Sequence, residues 1–402
     1  MAVKPIAPFA GLSCCKKRGS MRIKSVQLRN FRNHKATNVQ CGEQSNIFVG
    51  ENGEGKTSIL EAISFLCLTK SFYAGSDTNA VQVGKQGFDV TGELVSDKGV
   101  EYRVALGYSA VDKEKTFLVN KSPLEKLSAA IGMFPVVVLA PENGAITAGA
   151  PSERRKFLDL VLAQSSKSYF ADLLEYRRVL RQRNRILLDA RFSRQDPMPL
   201  LEPWNESLIN HGSRIAVKRM SFVEEFNPYV TRVYEEIAGG SEKPTIACQS
   251  ALLGAEGGRD EIEQLFRSRL ASSAHEEQRT ASTVVGPHRD DLQLKVNNMD
   301  ARQFASQGQH KTFLVALKIA EFNYMKDVCR ETPVFLLDDV FSELDEHRSQ
   351  RLIQATQSLG QTFITTTDKK LFESAYPWTE QHRKFLVKRG TVLYAESPAI
   401  IN

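Results

Sequence analysis

At 402 residues, a quarter of them charged, and with a net charge of +6, the chain has an ordinary soluble globular composition and length enough for two domains, or for one large core with an insertion. No apolar run approaches the roughly 18 to 20 residues of a membrane-spanning helix, so no membrane partner is expected; the longest, 133–140, is strand-sized. A pI near 8.9 permits a polyanionic partner without requiring one.

Residues 1–20 carry Lys4, Lys16, Lys17 and Arg18, no acid and no sustained apolar region. A disordered extension is expected there rather than a targeting peptide, with Met21 a candidate biological start. A strand and turn follow over 21–32. The stretch 46–66, NIFVGENGEGKTSILEAISFL, then reads as a buried strand, a glycine-rich loop and a helix. Gly50, Gly55, Lys56 and Thr57 fit the pattern G-x-x-x-x-G-K-[ST], with Glu51, Asn52, Gly53 and Glu54 completing the loop. Glycines let several backbone N–H groups converge on one phosphate. The helix behind adds the positive end of its dipole. Lys56 is expected to reach the β- and γ-phosphates of ATP, and the Thr57 hydroxyl to ligate Mg²⁺. The plainer alternative is a glycine-rich turn entering a helix. The apolar run Ile47, Phe48 and Val49 before the loop, and the helical spacing of Ile59, Ala62, Ile63 and Leu66 after it, favour the phosphate site. The six cysteines (14, 15, 41, 67, 248 and 329) form no C-x-x-C pair, and unpatterned thiols beside an ATP motif suit a reducing cytoplasm.

Alternating segments at 88–94, 101–108 and 116–119 predict an antiparallel sheet. A buried strand is expected over 134–140, ended by Pro141. From Pro151 the pattern turns helical. Helices are expected over 169–191, over 202–226 with an interruption at Pro228, and over 260–274, while Gly239 and Gly240 end a further piece. No heptad persists for four repeats, so these are packed helices and not a long coiled coil. Strand pattern returns at 292–296, with a turn at Asn297 and Asn298. A helix over 310–328 and buried strands over 333–337 and 361–366 complete the chain. The class is α/β, a parallel core sheet with an antiparallel β subdomain and an inserted helical lobe. The expected domains are one part of an ATPase lobe over 21–150, the helical lobe over 151–310, and the rest of the ATPase lobe over 311–402.

The C-terminal third supplies the second half of an ATP site. The strand at 334–337 ends in Asp338 and Asp339. Asp338 is placed to hold Mg²⁺, and Asp339 to orient or deprotonate an attacking water. Ser306, Gly308 and Gln309 precede the helix at 310–328 and read either as a plain N-cap or as a second anion site. Ser342 to Asp345 form a short acidic turn.

A phosphate loop, a distant S-x-G-Q before a helix, a strand ending in Asp-Asp and then S-x-L-D match, in that order, the ABC-type ATPase head. In that family the serine motif of one head caps the γ-phosphate held by a second head, so the resemblance implies an ATP-dependent homodimer. The insertion is too long for a transporter ATPase and too short for the arm of the SMC proteins. More narrowly, the chain resembles the RecF family of bacterial recombination mediators. The resemblance is carried by LRNFRNH (28–34), GENGEGKTSILEAI (50–63), PSERRKFLD (151–159), GPHRDDL (286–292), ASQGQHKT (305–312) and LLDDVFSELD (336–345). It implies that Arg32 and Asn33 lie near the nucleotide, and it puts Glu142 where transporter relatives place a metal-contacting glutamine. Two positions depart from ABC heads: Thr366 or Thr367 stands where many carry a switch histidine, and Asp339 replaces a glutamate. Slow, DNA-stimulated hydrolysis used as a switch is therefore expected. His288 and Arg289 are read as structural.

Seven arginines (177, 178, 181, 183, 185, 191 and 194) face one acid, Asp189, between 177 and 194, a net of +6, with Arg154, Arg155 and Lys156 close in sequence. Arg177, Arg181 and Arg185 share one helix face, suited to phosphate contacts that read no bases. The alternative is a solvated face paired with acids elsewhere. The resemblance favours DNA, double- or single-stranded or at gap junctions. It implies that RecO and RecR are partners in loading RecA during repair, replication and the SOS response. An armless SMC-like DNA-bridging ATPase and a transporter ATPase subunit are the competing readings.

Overall fold

The strand Ser45–Val49 is buried throughout and sits near the middle of a six-stranded sheet. Across the sheet the order is Thr391–Tyr394, His382–Lys388, Ser45–Val49, Thr362–Thr366, Val334–Asp338 and Val136–Leu139. The last five run parallel, and the first closes an antiparallel hairpin. Residues 20–73, 75–193, 196–240, 242–252, 258–368, 372 and 381–394 are described in this computed structural model. The expected extension and Arg194 lie outside them, apart from Ser20.

Parallel strands covered on both faces read as unbroken apolar runs, and alternate residues serve different cores. Phe48, Val136, Val138, Leu336 and Phe363 face a core shared with the phosphate-loop helix and the antiparallel sheet. Ile47, Val49, Val137, Leu139, Leu337 and Ile364 face the helical region. The phosphate-loop helix, Lys56–Leu68, is buried on almost every side because it lies between two sheets. The second of these runs His34–Gln40, Arg22–Phe31, Gly87–Val95, Glu101–Ser109, Glu114–Val119 and Ser122–Pro123, all antiparallel.

Helices Pro151–Ser165, Lys167–Ser193 and Met198–Ala238 follow. The longest packs against both the basic helix before it and the helix Gln307–Val328. It runs unbroken through Pro203 and Pro228, so the interruption expected at Pro228 does not occur. Pro228 and Glu224 are both on the exposed side. The carbonyl that loses its hydrogen bond to the proline can therefore be solvated, while Phe226, Val230 and Val233 anchor the opposite face. Arg259–Ser272 and Ala274–Thr280 are separate helices, divided at Ser273. A small antiparallel sheet, Met299–Asp300, Asp291–Val296 and Pro244–Gln249, lies within this region. Its turn at Asn297 and Asn298 has both residues at positive φ, as the sequence suggests.

Candidate functional site

The phosphate loop is braced from two directions. Gly55 has φ of 107°, and a Cβ there would lie 2.6 Å from Asn33 Oδ1 and 2.8 Å from His34 Nε2. The His34 ring bridges the Gly55 carbonyl (3.0 Å) and the Thr37 hydroxyl (2.9 Å). Burial pushes its pKa below the usual histidine range. On the other side the C-terminal hairpin turns under the loop. The Gly390 N–H donates to the Glu54 carbonyl (2.9 Å), and the Arg389 N–H to the Glu54 carboxylate. Any Cβ on Gly50 would run into the Val387 carbonyl.

Lys56 Nζ donates to the carbonyls of Gly50 and Glu51, at 2.8 Å each. Burial pulls its pKa down while Asp339, Asp338 and Glu54 hold it up. The Thr57 hydroxyl donates to Asp338 Oδ1 at 2.8 Å. Thr365 Oγ donates to the same oxygen at 2.7 Å and accepts the Asp339 N–H at 2.9 Å. Burial raises the pKa of Asp338, the two hydroxyls oppose the rise, and the charges of Glu142 and Asp339 add to it. Residues from three separate sequence segments therefore meet at the tip of one strand. Asp339 has positive φ (47°), which is strained for a residue with a side chain.

A cavity of about 790 Å³ opens over this junction, lined by Arg32, Asn33, Asn52, Gly53, Gly55, Lys56, Thr57, Ser58, Asn79, Val81, Gln82, Val83 and Asp339. Arg32 does not present a free guanidinium there. Nε and Nη2 bind the buried Glu61 carboxylate at 2.8 and 2.7 Å, and Nη1 binds the Asn79 carbonyl at 2.6 Å. Asn33 Nδ2 reaches the Gly53 carbonyl at 3.3 Å. At the neighbouring strand end, Thr366 accepts the Gly50 N–H through its carbonyl (3.3 Å) and the Asp368 N–H through its hydroxyl (3.0 Å).

Ser306, Gly308 and Gln309 do not line this cavity. Ser306 caps the helix Gln307–Val328 in a reciprocal box: Ser306 Oγ accepts the Gln309 N–H (3.2 Å), and Gln309 Oε1 accepts the Ser306 N–H (2.8 Å). Gln309 Nε2 is tied to Glu242 at 2.8 Å. Asp345 caps the next helix and pairs with Arg348, whose Nε reaches Thr312 at 2.9 Å.

The basic helix, Lys167–Ser193, does not present all its arginines outward. Arg183 is 2% exposed and binds Glu277 through Nη1 and Nη2 (3.0 and 2.6 Å), with Asn205 and Thr283 completing its shell. It must be removed from the surface charge count, because two residues along a helix from Arg181 is the opposite face. Arg177, Arg181 and Arg185 are exposed. Arg177 pairs with Asp159 and Arg185 with Asp189; Arg181 has no ion pair among the described residues. His288 lies away from the cavity, bridging Tyr176 OH (2.7 Å) and the Thr283 carbonyl (2.9 Å), and Arg289 binds that same carbonyl. Beside them Arg219, also 2% exposed, joins Asp159, Asp290 and the Pro287 carbonyl.

The model of the RecF/RecN/SMC N terminal domain matches residues 22–391. A DNA replication and repair protein RecF from Chloroherpeton thalassium is 40% identical over 356 residues, 88% of this chain and 96% of that protein. The chain belongs to the RecF family. A second RecF relative, from Salinibacter ruber, is 36% identical over 384 residues, 94% of this chain and 93% of that protein. A structure of the recombination mediator protein RecF-ATP in the RecFOR pathway shares 32% identity and a TM-score of 0.86, covering 94% of this chain and 98% of the other. A Pyrococcus furiosus Smc head shares the fold at 14% identity and a TM-score of 0.54. The α/β ATPase-head fold expected from the motif order is the one found. Thr365, His34, Glu61 and Gly390 escaped the sequence reading. An alternating run, Phe385 and Val387, before the Arg389-Gly390 turn signal could have revealed the hairpin.

Proposed function

We propose that this RecF-family chain binds ATP with Mg²⁺ at the cavity over Lys56, dimerises through the bound nucleotide, and uses that state to hold DNA. One observation carries the reading: Lys56, Thr57, Asp338 and Asp339 converge at one strand tip. The donor set suits a hard cation, because a buried carboxylate beside two further acids is held in a state that positive charge relieves. No cluster of three metal-ligating side chains occurs among the described residues, and Mg²⁺ needs only one or two protein oxygens beside phosphates and waters. Thr57 and Asp338 would hold it, and it would neutralise phosphate charge. Gly50 to Gly55 would cradle the phosphates, Lys56 would balance their charge, and Asp339 would orient water for slow hydrolysis.

In this reading 21–150 and 311–402 form the nucleotide lobe, and 151–310 the helical lobe. Ser306, Gly308 and Gln309 serve the nucleotide of a second copy, consistent with their place outside the cavity of their own chain. Arg177, Arg181 and Arg185 contact DNA phosphates. Action at gaps with RecO and RecR to load RecA, and a cytoplasmic location, follow from the family. Sedimentation of the wild type, Lys56→Met and Ser306→Arg, with ATP and with DNA, tests the scheme. The wild type should dimerise only with ATP and both variants should stay monomeric. Absence of ATP-dependent dimers in the wild type refutes the facing-heads arrangement, and normal dimers of Ser306→Arg reduce the serine to a helix cap.

A further inference from the structure

The contacts of His34 cannot all be made by a neutral ring. His34 is fully buried at the start of the strand His34–Gln40, with Nε2 on the Gly55 carbonyl (3.0 Å) and Nδ1 on the Thr37 hydroxyl (2.9 Å). A carbonyl only accepts, so Nε2 must carry a proton. The single proton of the Thr37 hydroxyl is directed to the Gly390 carbonyl, 3.1 Å away. Thr37 Oγ is then left to accept from the ring, so Nδ1 must carry a proton as well. An imidazolium makes all three contacts. A neutral ring protonated at Nε2 forces the hydroxyl to turn towards Nδ1 and leave Gly390. One protonated at Nδ1 sets a lone pair against the Gly55 carbonyl. Either way, the link from the phosphate loop to the C-terminal hairpin is broken at one bond.

We propose that His34 is a proton-operated clasp on the phosphate loop: nucleotide binding brings a proton to the ring, and the doubly protonated ring locks Gly55 to Gly390 through Thr37. The inference rests on ATP binding at the cavity over Lys56 and adds the regulation of that site by pH. The Gly55 carbonyl and the Lys56 N–H are the two ends of one peptide unit and point in opposite directions. Lys56 opens the helix Lys56–Leu68, so its N–H is among the donors that a helix leaves unpaired. A phosphate in front of that N–H and a cationic ring behind that carbonyl polarise the same peptide in the same sense, so each favours the other. Without nucleotide, burial disfavours a charge on the ring, and the Gly55 and Gly390 carbonyls only partly oppose this. The proton is therefore there to be gained. The charged side chains on the surrounding elements are engaged elsewhere or exposed. Glu54 holds the Arg389 N–H, Lys56 the carbonyls of Gly50 and Glu51, and Arg32 the Glu61 carboxylate, while Lys35, Lys388 and Arg389 are exposed. No carboxylate pairs with the ring among the described residues, so the charge that draws the proton is the triphosphate's own.

The test is nitrogen-15 NMR of the histidine rings of the full chain, titrated between about pH 5 and pH 8, where histidine changes charge. It is run without nucleotide and with Mg²⁺ and adenosine 5′-(β,γ-imido)triphosphate, and His34→Gln identifies the His34 signals. The His34 midpoint should lie below the ordinary value of about 6.5 without nucleotide and rise by about one pH unit or more with it. By linkage, the ratio of wild-type to His34→Gln affinity for the analogue should grow about tenfold from the alkaline to the acid side of that rise. Ionisation of Asp338 moves both proteins in the opposite direction and cancels in the ratio. Thr37→Val removes the acceptor for the Nδ1 proton and should shrink the rise, and Thr37→Ser should restore it. A midpoint that is the same with and without nucleotide, or an affinity ratio that is flat with pH, overturns the clasp and leaves ATP binding standing. A full rise in Thr37→Val overturns the link to Gly390. Failure of the wild type to bind the analogue at any pH overturns the parent reading as well.

Discussion

Thr365→Val isolates the support of Asp338. Thr365 is fully buried, and valine matches its shape while removing the hydroxyl that links Asp338 to the Asp339 N–H. Two losses result. One is a hydrogen bond to a carboxylate, worth about 1.5–3 kcal/mol; the other is an N–H left without its partner, at about 1–3 kcal/mol. The first acts at the site. Burial already holds the Asp338 carboxyl above the usual range, and the Thr365 hydroxyl opposes that shift, so its removal raises the pKa further. A cation needs the ionised form, so affinity for ATP with Mg²⁺ should rise with pH through this raised pKa, and the variant should make the same rise at higher pH. The loss of affinity should be greatest on the acid side of this rise, about 10- to 100-fold, the equivalent of one such bond, and should shrink as pH increases, while ATP with chelator changes little. Thr365→Ser should restore it. Fluorescent-nucleotide titration across pH, with and without Mg²⁺, measures each quantity. A Thr365→Val protein that is folded and has wild-type Mg²⁺ and pH dependence would refute the role given to this hydroxyl.

Three further outcomes are expected. Gly390→Ala places a side chain at φ of 71° and against the Asn33 carbonyl; it should cost at least about 1–2 kcal/mol, read by urea unfolding, and weaken ATP binding by loosening the brace under Glu54. Arg183→Ala strands the buried Glu277 carboxylate and should cost about 3–5 kcal/mol, whereas replacing both partners by apolar residues should cost less; equal losses would discount the pair. Burial pushes the His288 ring down to about 4. Its folded form therefore prefers the neutral ring, and the associated stability is present above the ordinary histidine range and lost as pH falls toward 4. Relative to His288→Asn, the wild type should lose about 2 kcal/mol between pH 7 and pH 5, and a pH-independent difference in urea midpoints would contradict this.

The phosphate loop was legible because it is local: one strand, six loop residues and a helix follow one another in a single stretch of sequence. Asp338 was legible because a parallel strand buried on both faces is an unbroken apolar run, which makes the carboxylate at its end conspicuous. Thr365 was not, because a threonine inside a buried strand looks like β-propensity until its neighbour's carboxylate is placed beside it. Glu61 carries no signal of its own within an apolar helix, because only folding brings Arg32 to it. Arg183 was misjudged by counting charge along the chain rather than around the helix. Pro228 was misjudged because a proline costs one hydrogen bond, and a 41-residue helix packed along its length absorbs that.

The central strand has a consequence for biosynthesis. Ser45 and Thr362, facing each other in the sheet, are 317 residues apart, and the turn that props the phosphate loop is made later still, at Arg389 and Gly390. Residues 45 through 390 must therefore all have left the ribosome before the sheet is closed and the loop is braced. Pairing over such separations is slow, so the phosphate loop reaches its braced form only late in folding.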